Sequence, residues 1–385
     1  IFALRMLGLF LILPVFAVHA QGIPGGSDLT LVGIAIGAYG LTQSMLQIAF
    51  GAASDKFGRK RVIIIGLVIF AIGSFVAALA PDIYWVIAGR ILQGAGAISA
   101  AVTALAADLT REQHRTKVMA MIGSSIGLVF ALSLVLAPVL YAAIGMGGLF
   151  TMTGTLALAA ILLVLYVVPE PPPPEHHEAG PIPFSRIAFD PELLRLNFGI
   201  FTLHLAQMAM FVVIPLALVN FGGLALPDHW KVYLPALLLS FVLMIPAIVV
   251  AERKHKTKQV FNGAIVTILA TQIGFWLFGE GLWSLAFFLF LFFAGFNILE
   301  ASLPSMISRI APPQAKGLAL GIYNTTQALG LAAGGFLGGF LAQRYGADAV
   351  YAACGLLTLA WLGLGLTMAP LPVRAKKPQP APQPN

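Results

Sequence analysis

The stretch Gly51-Ala-Ala-Ser-Asp55-Lys56-Phe57-Gly58-Arg59-Lys60-Arg61 carries five charges and two glycines in eleven residues. The chain on either side is apolar. Residues 31–50 before it and 62–80 after it are each long enough to cross a bilayer, because about 20 residues at roughly 1.5 Å per residue cover about 30 Å. The stretch reads as a tight charged hairpin between two transmembrane helices, and that reading sets the fold class.

The rest of the chain has the same character. Of its 385 residues 59% are hydrophobic and only 10% are charged, and the mean hydropathy is +0.92, which excludes a soluble enzyme of this length. Apolar segments of crossing length are expected at 2–20, 30–53, 62–80, 83–107, 118–142 and 147–168, then at 194–221, 230–251, 259–278, 283–308, 317–342 and 347–368. The sequence opens at Ile1 without Met, so the start of the first helix and any cytoplasmic leader are expected to lie before it.

Orientation follows from the basic residues. Alternate loops and the C-terminal tail hold 18 of the 22 Lys and Arg, while only Lys231 and Arg344 fall on the opposite side. That asymmetry predicts both termini in the cytoplasm. The net charge of +7 and pI near 9.6 are then membrane topology, and no nucleic-acid partner is expected. Cys354, the single cysteine, allows no internal disulfide.

Pro169 to Pro183 is too rich in proline to be helical and reads as an extended polar spacer. It divides the chain into a six-helix bundle over 1–168, a linker over 169–192, a second bundle over 193–368 and a disordered tail over 369–385. A short surface helix is expected over Arg186 to Arg195. His176-His177-Glu178 reads as solvated linker, not as a metal site, and no metal or cofactor is expected. Placing Lys258-Gln-Val-Phe261 on Lys60-Arg-Val-Ile63 sets Ala251 to Lys258 opposite the charged hairpin, a degenerate echo of the kind parallel six-helix halves would leave.

The spacing G-x-x-x-D-K-x-G-R-K-R resembles the loop between helices 2 and 3 of the major facilitator superfamily of secondary transporters. The resemblance implies an all-α membrane protein with twelve transmembrane helices in two pseudo-symmetric six-helix bundles. Gly51 and Gly58 permit close approach and a sharp turn. Asp55 can hold Arg59, and Asp108 at the end of helix 4 is a second acid within its reach. In the family the aspartate of this loop touches the start of helix 11, here near Lys316-Gly317. The resemblance thus implies a latch that favours the outward-open state; the bland alternative is topogenic charge alone.

Helix 4 carries Gly89-Arg90-Ile-Leu-Gln93-Gly94. An arginine several residues inside a membrane helix is costly unless paired or hydrated, which makes Arg90 a functional candidate. Its R-x-x-Q-G pattern resembles a second family motif, whose arginine is linked to proton transfer; the structural alternative has Arg90 bonding carbonyls of helix 1. Arg5 is a related candidate nearer a helix end, where it could snorkel. Glu300, in Gly295-Phe-Asn297-Ile-Leu-Glu300-Ala-Ser-Leu-Pro304, is the only acid in the interior of any expected segment. It lies about 25 Å along the axis from Trp283 and about 13 Å from Arg309. A carboxyl at that depth is a candidate proton or cation carrier, with Asn297 one turn away. The alternative is a neutral structural Glu.

Further polar residues at cavity-like positions are Tyr39, Gln43 and Gln47 on helix 2, His204 and Gln207 on helix 7, and Tyr323, Asn324 and Gln327 on helix 11. Spacings of three and four keep each set on one helix face. Phe287, Phe288, Phe290, Phe292 and Phe293 on helix 10 read mostly as lipid-facing bulk, with some available to an apolar substrate. Gly334-Gly335 and Gly338-Gly339 read as a close-packing surface.

Helix 5 keeps Pro138 but has Ser133 and Ala137 where the drug:proton antiporters carry glycines. The words Leu4 to Phe10, Thr110 to Lys117 and Asp228 to Tyr233 look closest to the YajR-type branch of that group, some members of which carry a small soluble C-terminal domain that this chain lacks. The expectation is therefore a monomeric, proton-coupled efflux antiporter for small lipophilic compounds, working by alternating access among membrane lipids. The transport alternative is proton-coupled uptake of a polar metabolite, with Gln43, His204, Asn297 and Asn324 on one site. An enzyme would need a nucleophile with an adjacent base or a ligand cluster at membrane depth, and the sequence offers neither.

Overall fold

A computed structural model describes residues 2–110, 112–170, 183–254, 256–312 and 315–369. The expected metal-free linker triplet His176-His177-Glu178 and the tail after residue 369 lie outside these. The described residues form helices and no strands: α1 (Phe2–Phe10), α2 (Leu13–Ala20), α3 (Leu29–Phe57), α4 (Arg59–Ala78), α5 (Ile83–Ala95), α6 (Ser99–Asp108) and α7 (Glu112–Tyr166). After the linker come α8 (Phe184–Ala188), α9 (Pro191–Asn220), α10 (Trp230–Arg253), α11 (Thr257–Phe278), α12 (Leu282–Ile310), α13 (Lys316–Tyr345) and α14 (Ala347–Leu366).

Every apolar segment expected from the sequence is helical, but four do not appear as simple single rods. The first breaks into α1 and α2 because Pro14 has no amide to donate and its ring would strike the Phe10 carbonyl, the last residue of α1. The fourth breaks into α5 and α6 around Gly96, whose missing Cβ admits the Gly66 carbonyl of α4. The fifth and sixth run together as α7 through a turn at Gly145, where φ is +65°. Nine described spans are long and apolar enough by themselves to cross a membrane. The glycine-rich α13 and the broken first segment fall short of that measure, and α7 counts once for two expected crossings.

The expected surface helix over 186–195 is not continuous. It ends with α8 at Ala188, and Asp190 then caps α9 by accepting from the amides of Glu192 and Leu193 at 3.0 Å each. The second set of long helices thus starts at Pro191, two residues before the expected boundary.

Helices pack mostly within each half: α4 on α5 and α7 in the first, α12 on α10 and α11 and α9 on α13 in the second. The most extensive contact, however, joins the halves through α3 and α13. It is built from small residues at one end of both helices. A Cβ on Gly33 would stand 2.1 Å from the Gly335 carbonyl oxygen, one on Gly37 2.6 Å from that of Ala332, and one on Gly40 2.8 Å from that of Ala328. Gln343 adds a side-chain oxygen that accepts from the Leu29 amide at 2.8 Å. The seal therefore runs from Leu29 to Gly40, about 17 Å of helix. At the other end of α13, Gly317 and Gly321 have no atom within 4 Å of where a Cβ would be. The close contact of α3 with α13 thus lies at the end where α3 begins, and the glycines of α13 at the opposite end have no such neighbour.

Candidate functional site

Where the halves meet, α9, α12 and α13 bring together His204, Glu300 and Gln327. His204 is buried, and its Nδ1 lies 3.2 Å from the Ile200 carbonyl one turn back. A carbonyl only accepts, so Nδ1 carries the proton and Nε2 has the free lone pair. The Gln327 amide nitrogen sits 2.8 Å from that Nε2 and 3.3 Å from Glu300 Oε1, donating one hydrogen to each. Glu300 Oε2 is 3.8 Å from His204 Nε2, and it is covered and without a hydrogen bond among the described residues. The Glu300 side chain as a whole is 31% exposed. Tyr323, one turn before Gln327, is buried with its hydroxyl unpartnered.

Above this cluster sits a group of rings drawn from both halves. Phe130 of α7 lies at its centre, with ring centroids 5.1 Å from Phe10 of α1, 5.8 Å from Phe296 of α12 and 6.3 Å from both Phe211 of α9 and Phe293. Phe296 also meets the His204 ring edge-on at 5.6 Å. Gln207 lines a small apolar cavity beside these rings with Met210, Phe211, Phe292 and Phe293, its own oxygen buried and unpartnered. Sequence reading picked out the run on α12 but missed Phe10, Phe130, Phe211 and Phe296. The available signal was the position of Phe296, one turn before Glu300 on the same helix face. Phe287, by contrast, is over half exposed, as expected of lipid-facing bulk.

Arg90 forms a second buried centre. Its Nε donates to the Ala35 carbonyl of α3 at 3.3 Å, and a terminal nitrogen donates to Gln93 Oε1 at 2.8 Å. Gln93 passes the chain on to Ser74 of α4 at 2.8 Å. The guanidinium lies 5.0 Å from the centroid of Tyr39, a cation–π contact in a dry setting. The carbonyl partner thus comes from α3, not from the first segment as the structural alternative had it. The side chain of Arg5 lies outside the described residues.

At the charged hairpin, Arg59 pairs with Asp55, bonds Asp108 at 2.9 Å and donates to Ser54 at 2.8 Å. Gly58 turns the chain with φ at +97°, and a Cβ on Gly51 would touch only Ala100. The acids and arginine of the expected latch are therefore assembled within the first half. The contact toward Lys316-Gly317 is not made: Asp55 is 65% exposed, and no ion pair among the described residues joins it to α13.

The remaining candidates are scattered. Gln43 and Gln47 are both buried on α3 and bond each other at 3.4 Å. Asn297 donates to Ser240 of α10 at 2.9 Å, which takes it out of any shared polar centre with His204. Asn324 is half-buried on α13 beside Tyr323.

Comparison with known proteins gives consistent results. The family model described as Major Facilitator Superfamily matches residues 1–298 and again 230–384. The inner membrane transport protein YajR of Escherichia coli K12 is 44% identical over 371 residues, covering 96% of this chain and 81% of its own. The quinolone resistance protein NorA of Staphylococcus aureus is 23% identical, covering 92% of this chain and 91% of its own. Among solved structures, a bacterial homologue of the human lysosomal transporter Spinster, inward-facing and occupied, superposes with a TM-score of 0.76 at 10% identity over 95% of this chain and 94% of its own.

Proposed function

The chain is a multi-pass membrane transporter of the major facilitator superfamily, and on that footing we propose that it is a proton-coupled secondary transporter that exports small lipophilic compounds. The observation that carries the proposal is the cluster of Glu300, Gln327 and His204. In it Glu300, the one acid in the interior of an expected span, meets His204 and Gln327 beside aromatic rings from both halves. Such a carboxyl can exchange protons while the rings offer apolar contact to a ligand. A relative named for quinolone resistance supports export of small aromatic compounds, and an inner-membrane relative supports a bacterial inner-membrane location.

In this reading the bundles over 1–168 and 193–368 rock about the central site, with both termini in the cytoplasm and the chain working as a monomer. The structure is then inward-open: sealed by α3 and α13 on the outer side and parted at the hairpin. Swinging outward brings Asp55 toward the start of α13, where it latches with Arg59 and Asp108 behind it. Arg90, locked to α3 and α4, holds the first bundle rigid and its charge near the pathway. The uptake alternative loses support because Asn297 is committed to Ser240.

The test uses proteoliposomes with an imposed pH gradient and an internal pH-sensitive dye, wild type beside Glu300→Gln. A panel of lipophilic cations and polar metabolites is added in turn. Wild type is expected to dissipate the gradient with a lipophilic compound and Glu300→Gln is not. Equal proton flux in both would remove Glu300 from the coupling.

A further inference from the structure

Resting on Glu300 as a proton site, we infer that Gln327 is a positioning residue that ties the charge of His204 to that of Glu300, so that a cationic His204 goes with a neutral Glu300. The inference comes from counting hydrogens. In the observed arrangement His204 is neutral with its proton on Nδ1, and both hydrogens of the Gln327 amide are used, one on His204 Nε2 and one on Glu300 Oε1. Glu300 suits this arrangement either ionised or protonated on Oε2, because Oε1 accepts in both.

Protonating His204 adds a hydrogen at Nε2, where the amide nitrogen now sits 2.8 Å away. Two donors cannot face each other there. The amide must turn over to present its oxygen to Nε2–H, and that oxygen then faces Glu300 Oε1. Two oxygens hold that separation only with a proton between them, so Glu300 must carry one. The amide therefore admits neutral His204 with Glu300 in either state, since a proton on Oε2 leaves Oε1 free to accept, but cationic His204 only with neutral Glu300. A direct ion pair, with both charged, would need Gln327 withdrawn and the 3.8 Å gap to Oε2 closed.

The surroundings leave these groups to each other. From α13, among the described residues, the titratable group facing Glu300 is the Tyr323 hydroxyl. α10 meets α12 through Ser240 on Asn297, and α11 meets it through Ala264 and Ile268 at Gly295, neither bringing a titratable side chain. From the first half, α7 contributes Phe130 against Phe296. Arg90 is held in its own network on α3 and α4. One consequence is that His204 takes up its second proton only when Glu300 already carries one.

The test is a pH titration of the full chain in lipid bilayers, with 15N-labelled histidine and 13C-carboxyl-labelled glutamate followed by NMR. His204→Gln and Glu300→Gln samples assign the two signals. In wild type the cationic His204 signal is expected only at pH values where the Glu300 signal is protonated. In Gln327→Met, which keeps the length of the side chain, cationic His204 is expected beside ionised Glu300. Cationic His204 coexisting with ionised Glu300 in wild type would overturn the inference, as would a Gln327→Met titration matching wild type. Should that variant not fold, the wild-type titration decides alone. The spectra need no transport, so a paired titration without proton flux would refute the proposed function while leaving this inference intact.

Discussion

Arg90 and Glu300 were both legible as single letters, because a charge at membrane depth costs enough that its presence demands a reason. What the letters did not carry was their partners. Hydropathy fixes how deep a residue lies but not which neighbour its side chain turns to in a bundle packed on several sides. Asn297 and Glu300 are three residues apart, yet one goes to Ser240 of α10 and the other to Gln327 of α13. Phe130 gave no signal at all, since a phenylalanine in an apolar helix is unremarkable until rings from other helices surround it. The Arg90 network makes a prediction at this scale. Arg90→Leu leaves Gln93 Oε1 and the Ala35 carbonyl without their donor, and the loss is expected at about 1–3 kcal/mol. Arg90→Lys should recover little of it, because an ammonium lacks the fork that reaches both acceptors. Thermal unfolding in detergent, compared across the three proteins, checks both statements.

The helices show an internal repeat that the sequence only hinted at. Lys60 reaches Glu170 just beyond α7 at 3.0 Å, and Lys258, placed on Lys60 by the sequence echo, reaches the Met368 carbonyl just beyond α14 at 2.6 Å, 110 residues on in both halves. Lys258 also holds the Leu366 carbonyl at 2.9 Å, so it caps the end of α14. Gly145 and Gly346 likewise turn the chain at φ of +65° and +82° before the last helix of each half. The echo was faint because only the lysine and the turn glycine keep their chemistry, while the acid and glycines of the hairpin are lost from the second copy. Lys258→Ala is expected to cost about 1 kcal/mol, and Lys60→Ala only a few tenths, roughly, because Glu170 is 81% exposed. Unfolding midpoints of the two variants test that order. The seal between α3 and α13 yields a second prediction. Gly335→Val places methyls where Gly33 and Gly37 backbone already stand within 3 Å of a Cβ. Overpacking of about 1–3 kcal/mol should shift the population away from the closed end by roughly 5- to 150-fold. A cysteine at Leu29, in a Cys354→Ser background, should then react faster with a membrane-impermeant maleimide added on the side of the membrane where α3 begins. Unchanged labelling would mean that the seal yields without opening.

For the molecule as a whole, segment length and the charged hairpin were enough to read an all-helical, multi-pass transporter, because a bilayer imposes one crossing length on every helix. Its conformation was not legible. Which end is sealed depends on carbonyls and glycines meeting between α3 and α13, helices almost three hundred residues apart in sequence, roughly the length of chain over which hydropathy carries no pairing information. In the proposed function Glu300 couples protons to substrate and is not needed to bind it. A lipophilic cation that wild type is found to carry separates the two roles. Its accumulation under a pH gradient and its equilibrium exchange without one are compared in wild type and Glu300→Gln proteoliposomes. The account predicts that the variant loses gradient-driven accumulation but keeps exchange. Accumulation persisting in Glu300→Gln would contradict it.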